Sequence, residues 1–475
     1  VFDYSGLRLR GTPLKTKGGR ASGPEPLQRL LDLCETTILA ASGRQLRPIE
    51  CHDIACAVGD IVHVGGFRRA ALISFSDPDD EEMRHAKDWS RGDFPSIRYM
   101  SNNSAFYADR PTEEDFWREW RALVASRSGE RGFFRMPPAK RATRRGDFRC
   151  NPCGEIALRF TKSVDPWTGE GGSGSFCNLT AAVMRADDTR ETMAEKVRIA
   201  TWLGVIQASF ITFPYLRKGW TQICDEDRLL GVDITGQCDN PGLSDDAATM
   251  LYLNKVARET AAEAAAIMGI NMPAAITCGK PSGNSSQLVD CASGFHPRYA
   301  KYYLRRVRID GKDPLTSLLR DSGVPMFKEN GQDHLPDSEV PVWVVQFPVK
   351  APEGAMVRDS ETAVEMCNRY LRVMRSWCSE RGHNQSATIY VRDHEWEEVG
   401  QWVYDHFDEI TGLSFLPHDG GQYKLAPYEE ITEEEYEAAF ALMPVVDYSL
   451  LTAYEQEDRG NGAQELACTS GACEL

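Results

Sequence analysis

The chain has 475 residues, 42% hydrophobic content and a formal net charge of −16. This length is enough for one large core or for two to three average domains. The acidic balance argues against broad binding of nucleic acid polymers, which needs a basic face, but it leaves room for a local loop that binds one nucleotide.

The sequence holds no apolar run of about 18 residues and opens with no secretory signal, so neither a membrane-spanning helix nor a membrane partner is expected. Its 14 cysteines are scattered, and in a chain of this size most are expected to be reduced and buried. The sequence therefore predicts a soluble cytoplasmic protein in which cysteine chemistry belongs to particular sites.

Long helical patterns alternate with short apolar runs along the chain. Helices are expected over residues 26–41, 51–64, 191–213, 246–268, 360–380, 394–406 and 432–443, and from a capping motif at Thr112. Strands are expected over residues 70–75, 231–235, 340–348 and 387–391. The alternation predicts an α/β fold with a largely buried sheet, followed by a polar, Gly-rich and flexible tail over residues 446–475.

The stretch "RCNPCGEIALRF", residues 150–161, carries the strongest chemical pattern. Its CxxC spacing permits a zinc site, but a zinc ribbon needs a second such pair, and the sequence has none. A thioredoxin-like redox pair would need a βαβ context that is missing. The remaining interpretation is two small buried side chains in a turn.

A different grouping emerges from Asn151, Cys153 and Glu155, which occupy alternating positions. In an extended segment, alternate side chains share one face, so a thiol, an amide and a carboxylate would converge. Pro152 and Gly154 supply stiffness and a tight turn between them. Such a group suits chemistry on a polyol and separates Cys153 from a structural Cys150.

A run of small polar residues, "PSGNSSQ", spans residues 281–287. Backbone N–H groups in such a turn at the start of a helix can hold phosphate, although many loops share this composition. The candidate phosphate-binding residues are Ser282, Gly283, Asn284, Ser285 and Ser286.

The segment "NPCGEI", followed by "FCNL" at residues 176–179, resembles the active-site finger loop of ribonucleotide reductases. Further blocks follow in the family's order: "DYSGLRLRG", "GGRASGP", "GGFRRAALISFSD", "SNNSAFY", "GVDITG", "PSGNSSQLVD", "HPRYAKYYLRRVR", "SATIYV" and "ACTSGACEL". The chain resembles the C-terminal two-thirds of class II, adenosylcobalamin-dependent enzymes of the monomeric ribonucleoside-triphosphate reductase type.

This resemblance implies a fold and an activity. Residues 1–445 would form part of a ten-stranded α/β barrel of the ribonucleotide reductase and glycyl radical type, with its N-terminal part missing, and residues 446–475 a redox-active tail. The implied reaction reduces ribonucleotides, as triphosphates, to 2′-deoxyribonucleotides for DNA precursor synthesis. The implied cofactor is adenosylcobalamin, although no DxHxxG cobalamin motif occurs. The implied location is the cytoplasm of a bacterial or bacteriophage-infected cell.

The resemblance also implies residue roles. Cys153 would carry a thiyl radical that removes the 3′ hydrogen, Glu155 would accept the 3′-hydroxyl proton, and Asn151 would orient the substrate. Cys177 would supply one reducing thiol, and its partner thiol is expected upstream, on a missing N-terminal fragment or a partner chain. In the tail, Cys468 and Cys473 would exchange disulfides with a thioredoxin-like reductant.

The same resemblance implies a pocket around the substrate. The phosphates would meet the loop at residues 282–286. Other candidate contacts to substrate or cofactor are Gly19, Ala21, Ser22, Asn102, Asn103 and His296. Arg298 would line the pocket or form a buried ion pair, and Arg68 and Arg69 are expected to anchor structure.

Three alternatives remain open. The large subunit of a class I reductase would need a radical-transfer tyrosine pair near its C-terminal end, but the adjacent pair Tyr302–Tyr303 belongs to another block. A non-catalytic fragment acting as a binding module is a second alternative. A cysteine-rich zinc-binding protein is the third.

Overall fold

The computed structural model describes residues 2–10, 12, 21–64, 67–68, 70–137, 146–162, 171–311, 313–418 and 425–454. Its helices of eight or more residues, α1 to α10, are Glu25–Ala40, Pro48–Asp60, Glu113–Ser126, Arg190–Ala208, Lys218–Asp227, Ala247–Met268, Pro314–Asp321, Ala363–Arg375, Trp396–Asp405 and Glu433–Ala441. Each predicted helix is present, but α4 ends at Ala208 and α8 at Arg375, before the predicted ends at residues 213 and 380. Helices α5 and α7 were not predicted. No helix in these described ranges is long and apolar enough to cross a membrane.

The start of α2 lies three residues before the predicted one. Pro48 occupies the first turn, where its missing N–H costs nothing, and the Glu50 carboxylate accepts a hydrogen bond from the Arg47 N–H at 2.8 Å. The helix ends at Asp60, and the chain continues into a short strand at His63–Val64. The predicted extension of this helix to Val64 was therefore wrong.

The strands β1 to β18 are His63–Val64, Phe67–Arg68, Leu72–Ser76, Ser101–Phe106, Gly132–Phe134, Asp147–Cys150, Ala157–Thr161, Ser173–Gly174, Asn178–Val183, Leu230–Thr235, Thr277–Gly279, Tyr302–Asp310, Met326–Lys328, Val342–Lys350, Gly382–Gln385, Thr388–Val391, Gly412–Pro417 and Tyr428–Glu430. They form five sheets, of which two hold most of the core. The predicted α/β class is confirmed.

The first of these two sheets is parallel and has the strand order β15-β11-β10-β9. All six residues of its central strand β10, "LGVDIT", are buried. Helix α4 packs against β9, β10 and α6, which places apolar side chains on the outer side of the sheet. The near-continuous burial of β10 is what a parallel sheet covered on both faces requires.

The second sheet is mixed and has the order β16-β17-β5-β4-β3. Strands β3, β4 and β5 are parallel, and β17 pairs with β5 in the antiparallel direction. Only residues 386–387 separate β15, at the edge of the first sheet, from β16, at the edge of the second. The chain therefore passes directly from one sheet to the other.

A four-stranded antiparallel sheet, ordered β13-β14-β12-β18, was largely missed by the sequence analysis. All nine residues of β12 pair with β14. Three arginines interrupt the apolar alternation of β12, and each has a partner on or directly beside a neighbouring strand. Arg305 lies over the Tyr428 ring, Arg306 pairs with Glu429, and Arg308 pairs with Glu329.

The described chain after α10 holds two further short helical elements. Tyr448–Leu450 form a 3-10 turn, and Leu451–Tyr454 form a short helix that contacts α7. The Tyr454 hydroxyl hydrogen-bonds to Asp321 Oδ2 at 3.2 Å. The predicted domain boundary at residue 446 stays a prediction, because most of the proposed tail lies outside the described residues.

Candidate active site

The candidate site is built around a tight turn at the tip of the β6–β7 hairpin. Cys150 pairs with Ala157 in the last register of that hairpin, so residues 151–156 form its connection. The Gly154 N–H donates to the Asn151 carbonyl at 2.9 Å, and Gly154 has a φ of +80°, which favours glycine. The predicted tight turn is confirmed, but the predicted extended conformation of residues 151–155 was wrong.

Because the backbone turns, side chains converge on Glu155 in a way that strand alternation would not produce. The Asn151 side chain hydrogen-bonds to the Glu155 carboxyl group, and its Oδ1 accepts the Ile156 N–H at 2.9 Å. Glu155 is only 1% exposed, and its Oε2 is buried without a hydrogen-bond partner. Burial raises the pKa of Glu155, and the Asn151 hydrogen bond opposes that increase. The carboxyl group is thus placed to exchange a proton.

Cys153 lies at the exposed tip of the turn. The surrounding protein nevertheless raises the pKa of its thiol to about 11, first by desolvation and second by the charge of Glu155. At neutral pH the sulfur therefore carries its hydrogen. Such a thiol is a poor nucleophile, since the thiolate is the reactive form, but it can donate a hydrogen atom. Cys150, in contrast, is buried as expected of a structural cysteine.

The turn is held by residues that the sequence analysis did not select. Asn384 donates from Nδ2 to the Gly154 carbonyl and from its backbone N–H to the Glu155 carbonyl, both at 2.9 Å. The Tyr370 hydroxyl donates to Asn384 Oδ1 at 2.8 Å, and the Ser386 hydroxyl donates to the Cys153 carbonyl at 2.6 Å. These contacts join the turn to β15 and to the link between the two sheets.

The neighbouring asparagines of β4 have different surroundings. Asn102 is exposed, and its Nδ2 donates to the Pro152 carbonyl at 2.8 Å, which places it directly beside the turn. Asn103 is buried, and its Oδ1 lies 3.1 Å from His52 Nε2. Of this predicted pair, the structure brings Asn102 alone to the turn.

Cys177 directly precedes β9 and lies beside β10. A Cβ atom added to Gly231 would lie 3.1 Å from Cys177 Sγ, 2.9 Å from Ile156 Cδ1 and 2.5 Å from Leu179 Cδ2. Because Gly231 has no side chain, Cys177 can approach the same point of the sheet as the turn at residues 151–156, which is called the finger turn below. The structure thus brings Cys177 to the neighbourhood of the turn, and its role as a reducing thiol stays a prediction.

The predicted phosphate loop lies after β11, next to a buried carboxyl group that the sequence analysis overlooked. Asp233 of β10 is fully buried, and its oxygens accept the Lys280 N–H at 2.8 Å and the Ser282 hydroxyl at 3.1 Å. Burial raises the pKa of Asp233 to about 7. A charged residue in the middle of the apolar run "LGVDIT" was the available sequence signal.

Within the loop, the serines differ in exposure. Ser282 and Ser286 are buried and hydrogen-bonded inside the protein, and Ser286 donates its hydroxyl to the Gly283 carbonyl at 3.0 Å. Asn284 and Ser285 are exposed in the short helix Gly283–Leu288. The two buried serines shape the loop, and the two exposed residues are available to a ligand.

His296 and Arg298, which follow the predicted phosphate loop in the chain, both make buried contacts with other parts of the protein. His296 Nε2 accepts the Thr388 N–H at 3.0 Å, and its Nδ1 lies 3.1 Å from the Ser293 carbonyl. Desolvation lowers the pKa of His296 to about 4. Arg298 forms a buried, two-pronged ion pair with Asp239, at 2.8 and 2.9 Å, so the ion-pair interpretation of Arg298 is confirmed.

Several predicted residues lie outside the described ranges, namely Gly19, Arg69, Cys468 and Cys473. Ala21 is described, and its N–H donates to the Thr12 carbonyl at 2.8 Å. Ser22 is partly exposed next to it. Arg68 lies in the short strand β2. In the part of the chain that the structure describes, no group of three His, Cys, Asp or Glu side chains could hold a metal ion.

Curated relatives match the chain along nearly its whole length. The adenosylcobalamin-dependent ribonucleoside-triphosphate reductase of Levilactobacillus brevis is 24% identical over 524 positions, which cover 100% of this chain and 65% of the relative. The enzyme of the same name from Euglena gracilis is 26% identical and covers 99% of this chain and 63% of its own length. The chain resembles class II ribonucleotide reductases. A scan against protein-family models finds no match.

Solved structures agree with this class II resemblance at the level of the fold. A B12-dependent, class II ribonucleotide reductase superposes with a TM-score of 0.73 at 20% identity, over 96% of this chain and 65% of that structure. The alpha subunit of the Actinobacillus ureae class Id ribonucleotide reductase gives a TM-score of 0.51 at 11% identity, over 83% and 82% of the two chains. The chain thus has the α/β fold of a class II reductase, and it spans less than two thirds of the length of the adenosylcobalamin-dependent relatives and of the class II structure.

Proposed function

We propose that this chain is the catalytic portion of an adenosylcobalamin-dependent ribonucleotide reductase that converts ribonucleoside triphosphates to 2′-deoxyribonucleotides. The observation that carries the proposal is the finger turn, where an exposed, protonated thiol lies beside a buried carboxyl group with one unpaired oxygen. The class II relatives support the choice of cofactor and substrate, which their names state.

We further propose that the parallel and mixed sheets are two parts of one α/β barrel. The direct passage from β15 to β16 supports this arrangement, because it joins an edge of one sheet to an edge of the other. The finger turn is tied to this link through Asn384 and Ser386. A turn fixed there would lie inside the barrel, where water can be excluded from a radical reaction.

In the proposed reaction, Cys153 as a thiyl radical takes the hydrogen from C3′ of the ribose and forms an S–H bond. That bond breaks when the hydrogen returns to C3′, which regenerates the thiyl radical. Glu155 accepts the 3′-hydroxyl proton, a role that requires an ionised carboxylate within hydrogen-bond reach. Asn151 holds the Glu155 carboxyl group and orients the substrate hydroxyl. The 2′-hydroxyl then leaves as water, with a proton from one of the two reducing thiols.

Before the hydrogen returns to C3′, the sugar radical that is left by the loss of water must gain two electrons. In the proposal, Cys177 and a second thiol provide these electrons and become a disulfide, and no described residue is assigned as that second thiol. The tail cysteines Cys468 and Cys473 would reduce this disulfide by thiol exchange and would be recharged by a thioredoxin-like protein. Both belong to the part of the chain without a described structure.

The substrate phosphates are proposed to bind at residues 282–286, with the exposed Asn284 and Ser285 in contact with them. The exposure of Cys153 fits an initiating cofactor, because a group outside the turn can reach the thiol. Asn102, exposed beside the turn, would line the same side. Bound adenosylcobalamin supplies the first radical by cleavage of its cobalt–carbon bond, and the protein supplies placement.

The test is the reduction of CTP and ATP in the presence of adenosylcobalamin and dithiothreitol, measured as deoxyribonucleotide formed. The chain is assayed alone and together with a fragment that supplies the remaining length of a class II relative. Activity that requires adenosylcobalamin supports the proposal. Activity that requires a separate radical-generating subunit would favour a class I enzyme, and no activity in either form would refute the proposal.

A further inference from the structure

The residue that carries the thiol of the finger turn is held on both sides by side chains from other parts of the chain. The Pro152 carbonyl, in the peptide unit before Cys153, accepts a hydrogen bond from Asn102 Nδ2 of β4 at 2.8 Å. The Cys153 carbonyl, in the peptide unit after it, accepts one from the Ser386 hydroxyl at 2.6 Å. Because peptide units are planar, fixing both units fixes the backbone dihedral angles between them. These two contacts therefore set the direction of the Cα–Cβ bond that carries the thiol.

Ser386 makes a second contact, on the side of the proposed phosphate loop. Its backbone N–H donates to the carbonyl of Gly279, the last residue of β11, at 2.8 Å, and the loop begins directly after this residue. The start of the loop is fixed in turn on β10, where Asp233 accepts the Lys280 N–H at 2.8 Å and the Ser282 hydroxyl at 3.1 Å. Two hydrogen bonds through one residue therefore join the finger turn to the phosphate loop.

Ser386 is itself held in the link between the two main sheets. Its carbonyl accepts a hydrogen bond from Gln385 Nε2 at 2.8 Å, and the next carbonyl along the chain, that of Ala387, accepts the Ser414 N–H at 3.1 Å. Gln385 is 0% exposed, and its side chain lies so close to Gly279 that a Cβ atom would not fit there. The link can therefore serve as a fixed spacer between the turn and the loop.

We propose that Ser386 is a positioning residue that sets the distance between the Cys153 thiol and the phosphate loop at residues 282–286. At that distance, C3′ of a nucleotide whose phosphates are bound by the loop meets the thiol. This inference rests on the proposed function, which supplies both the thiol chemistry and the phosphate site. The Ser386 hydroxyl fixes one end of the spacer, and its backbone N–H fixes the other.

A fixed spacer matters because the dimensions of a nucleotide are nearly constant. A few covalent bonds join the 5′-phosphate to C3′, so the enzyme must hold its thiol at a matching distance from the phosphates. Displacement of a reacting group by about 1 Å can lower a rate by about 100-fold. Without the Ser386 hydroxyl, the phosphates should still bind, but the thiol should shift away from C3′.

The first measurement is steady-state reduction of CTP by Ser386→Ala, in the assembly of the chain that turns over. We expect kcat to fall by about 10- to 100-fold while KM stays within about twofold of wild type. Ser386→Thr keeps a hydroxyl group and should restore most of kcat. The matched control is Ser379→Ala, because the Ser379 hydroxyl also donates to a backbone carbonyl, that of Ser376, at 2.6 Å. Its loss should leave kcat and KM unchanged, and urea unfolding checks that both alanine variants fold.

The second measurement does not depend on turnover. Alkylation of Cys153 by N-ethylmaleimide is followed by mass spectrometry, in the full chain alone and with the fragment that supplies the remaining length of a class II relative. CTP should slow this alkylation in wild type and in Ser386→Thr, because the bound ribose covers the thiol, and much less in Ser386→Ala. Tripolyphosphate, which lacks the sugar, should not slow it in any of these proteins. Alkylation of Cys51, which is exposed on α2, should not respond to CTP.

The inference is overturned if Ser386→Ala keeps the wild-type kcat, whether or not KM rises. It is also overturned if CTP does not protect Cys153 in wild type, if CTP protects it equally in Ser386→Ala, or if tripolyphosphate protects it as CTP does. Protection by CTP that is lost in Ser386→Ala, in a protein without reductase activity, would sink the proposed function and keep the inference. Reductase activity that does not respond to Ser386→Ala would do the reverse.

Discussion

At the scale of single residues, the chemistry of the finger turn depends on the different solvent exposure of neighbouring residues. Cys153 is exposed and Glu155 is almost fully buried, although two positions separate them. A left-handed glycine between them permits this change of direction. The result is a thiol that stays protonated and a carboxyl group whose ionisation is controlled by its neighbours.

Asn384 is the residue whose loss should most disturb the turn. Its amide joins the Gly154 carbonyl to the Tyr370 hydroxyl. Asn384→Ala removes this partner from the buried Tyr370 hydroxyl and the partly buried Gly154 carbonyl. We therefore expect the free energy of unfolding to fall by about 1–3 kcal/mol and reductase activity to fall with it. Urea unfolding measures the first effect. As a control, Asn271→Ala removes an exposed hydrogen bond from an amide to a carbonyl group and should change neither stability nor activity. Equal losses of stability in the two variants would contradict the role of Asn384 in holding the turn.

Asp233 should make stability depend on pH. Its pKa is raised from 3.8 to about 7 in the folded chain, so the folded state binds the proton more tightly. The stabilisation from this proton is complete below about pH 4 and is lost as the pH rises through about 7, by up to about 4 kcal/mol.

The Asp233→Asn variant cannot lose such a proton. The difference in free energy of unfolding between this variant and wild type should therefore move in favour of the variant between pH 4 and pH 7. Asp187→Asn, at an exposed position, is the matched control. A difference that stays constant with pH would show that Asp233 has an ordinary pKa.

At the scale of elements, the strand β10 contacts both parts of the site, the loop at residues 280–282 and the finger turn. It places Asp233 under the loop at residues 280–282 and Gly231 under the finger turn. Two residues apart in a strand, they point to the same face of the sheet. One strand thus supports both the thiol chemistry and the proposed phosphate loop.

Gly231→Ala should be damaging despite the small change. The new Cβ atom would lie 2.5 Å from Leu179 Cδ2 and 2.9 Å from Ile156 Cδ1, so packed side chains must move. We expect a loss of about 1–3 kcal/mol in the free energy of unfolding and a displacement of Cys177 from the turn. The control is Gly204→Ala in α4, where the new atom would meet its nearest neighbour at 3.5 Å and should be tolerated. A stable, fully active Gly231→Ala protein would refute the proposed approach of Cys177.

At the scale of the whole molecule, the two main sheets are joined by the link at residues 386–387 and by His296. His296 comes from the loop after β11 and accepts the backbone N–H of the first residue of β16. A neutral imidazole is required, because the accepting nitrogen cannot carry a proton. This contact predicts sensitivity to acid.

The pKa of His296 is lowered from 6.5 to about 4 in the folded chain. The unfolded chain therefore binds the proton more readily, and stability is lost as the pH falls from about 6.5 to about 4, by up to about 3 kcal/mol. His296→Gln should lack this loss, which urea unfolding at several pH values measures. His334→Gln changes an exposed histidine and should follow wild type; if His296→Gln also follows wild type, the histidine does not titrate with folding.

The sequence alone was sufficient for the long helices, the α/β class and the finger turn, because these depend on local patterns: periodicity, caps, and glycine or proline positions. It did not predict β12, since arginines paired across strands hide its alternation. Asn384 and Ser386 were also missed. Their roles arise from contacts with residues distant in the chain, which no local pattern displays.

The central claim is that Cys153, as a thiyl radical, removes hydrogen from C3′ of a ribonucleotide. The direct measurement is deoxycytidine triphosphate formation from CTP and from CTP deuterated at C3′, with adenosylcobalamin and dithiothreitol, in whichever assembly of the chain turns over. We predict slower product formation from the deuterated nucleotide, no product from Cys153→Ser, and normal product from Cys51→Ser, which alters an exposed cysteine of α2. Product formation by Cys153→Ser at the wild-type rate would contradict the account.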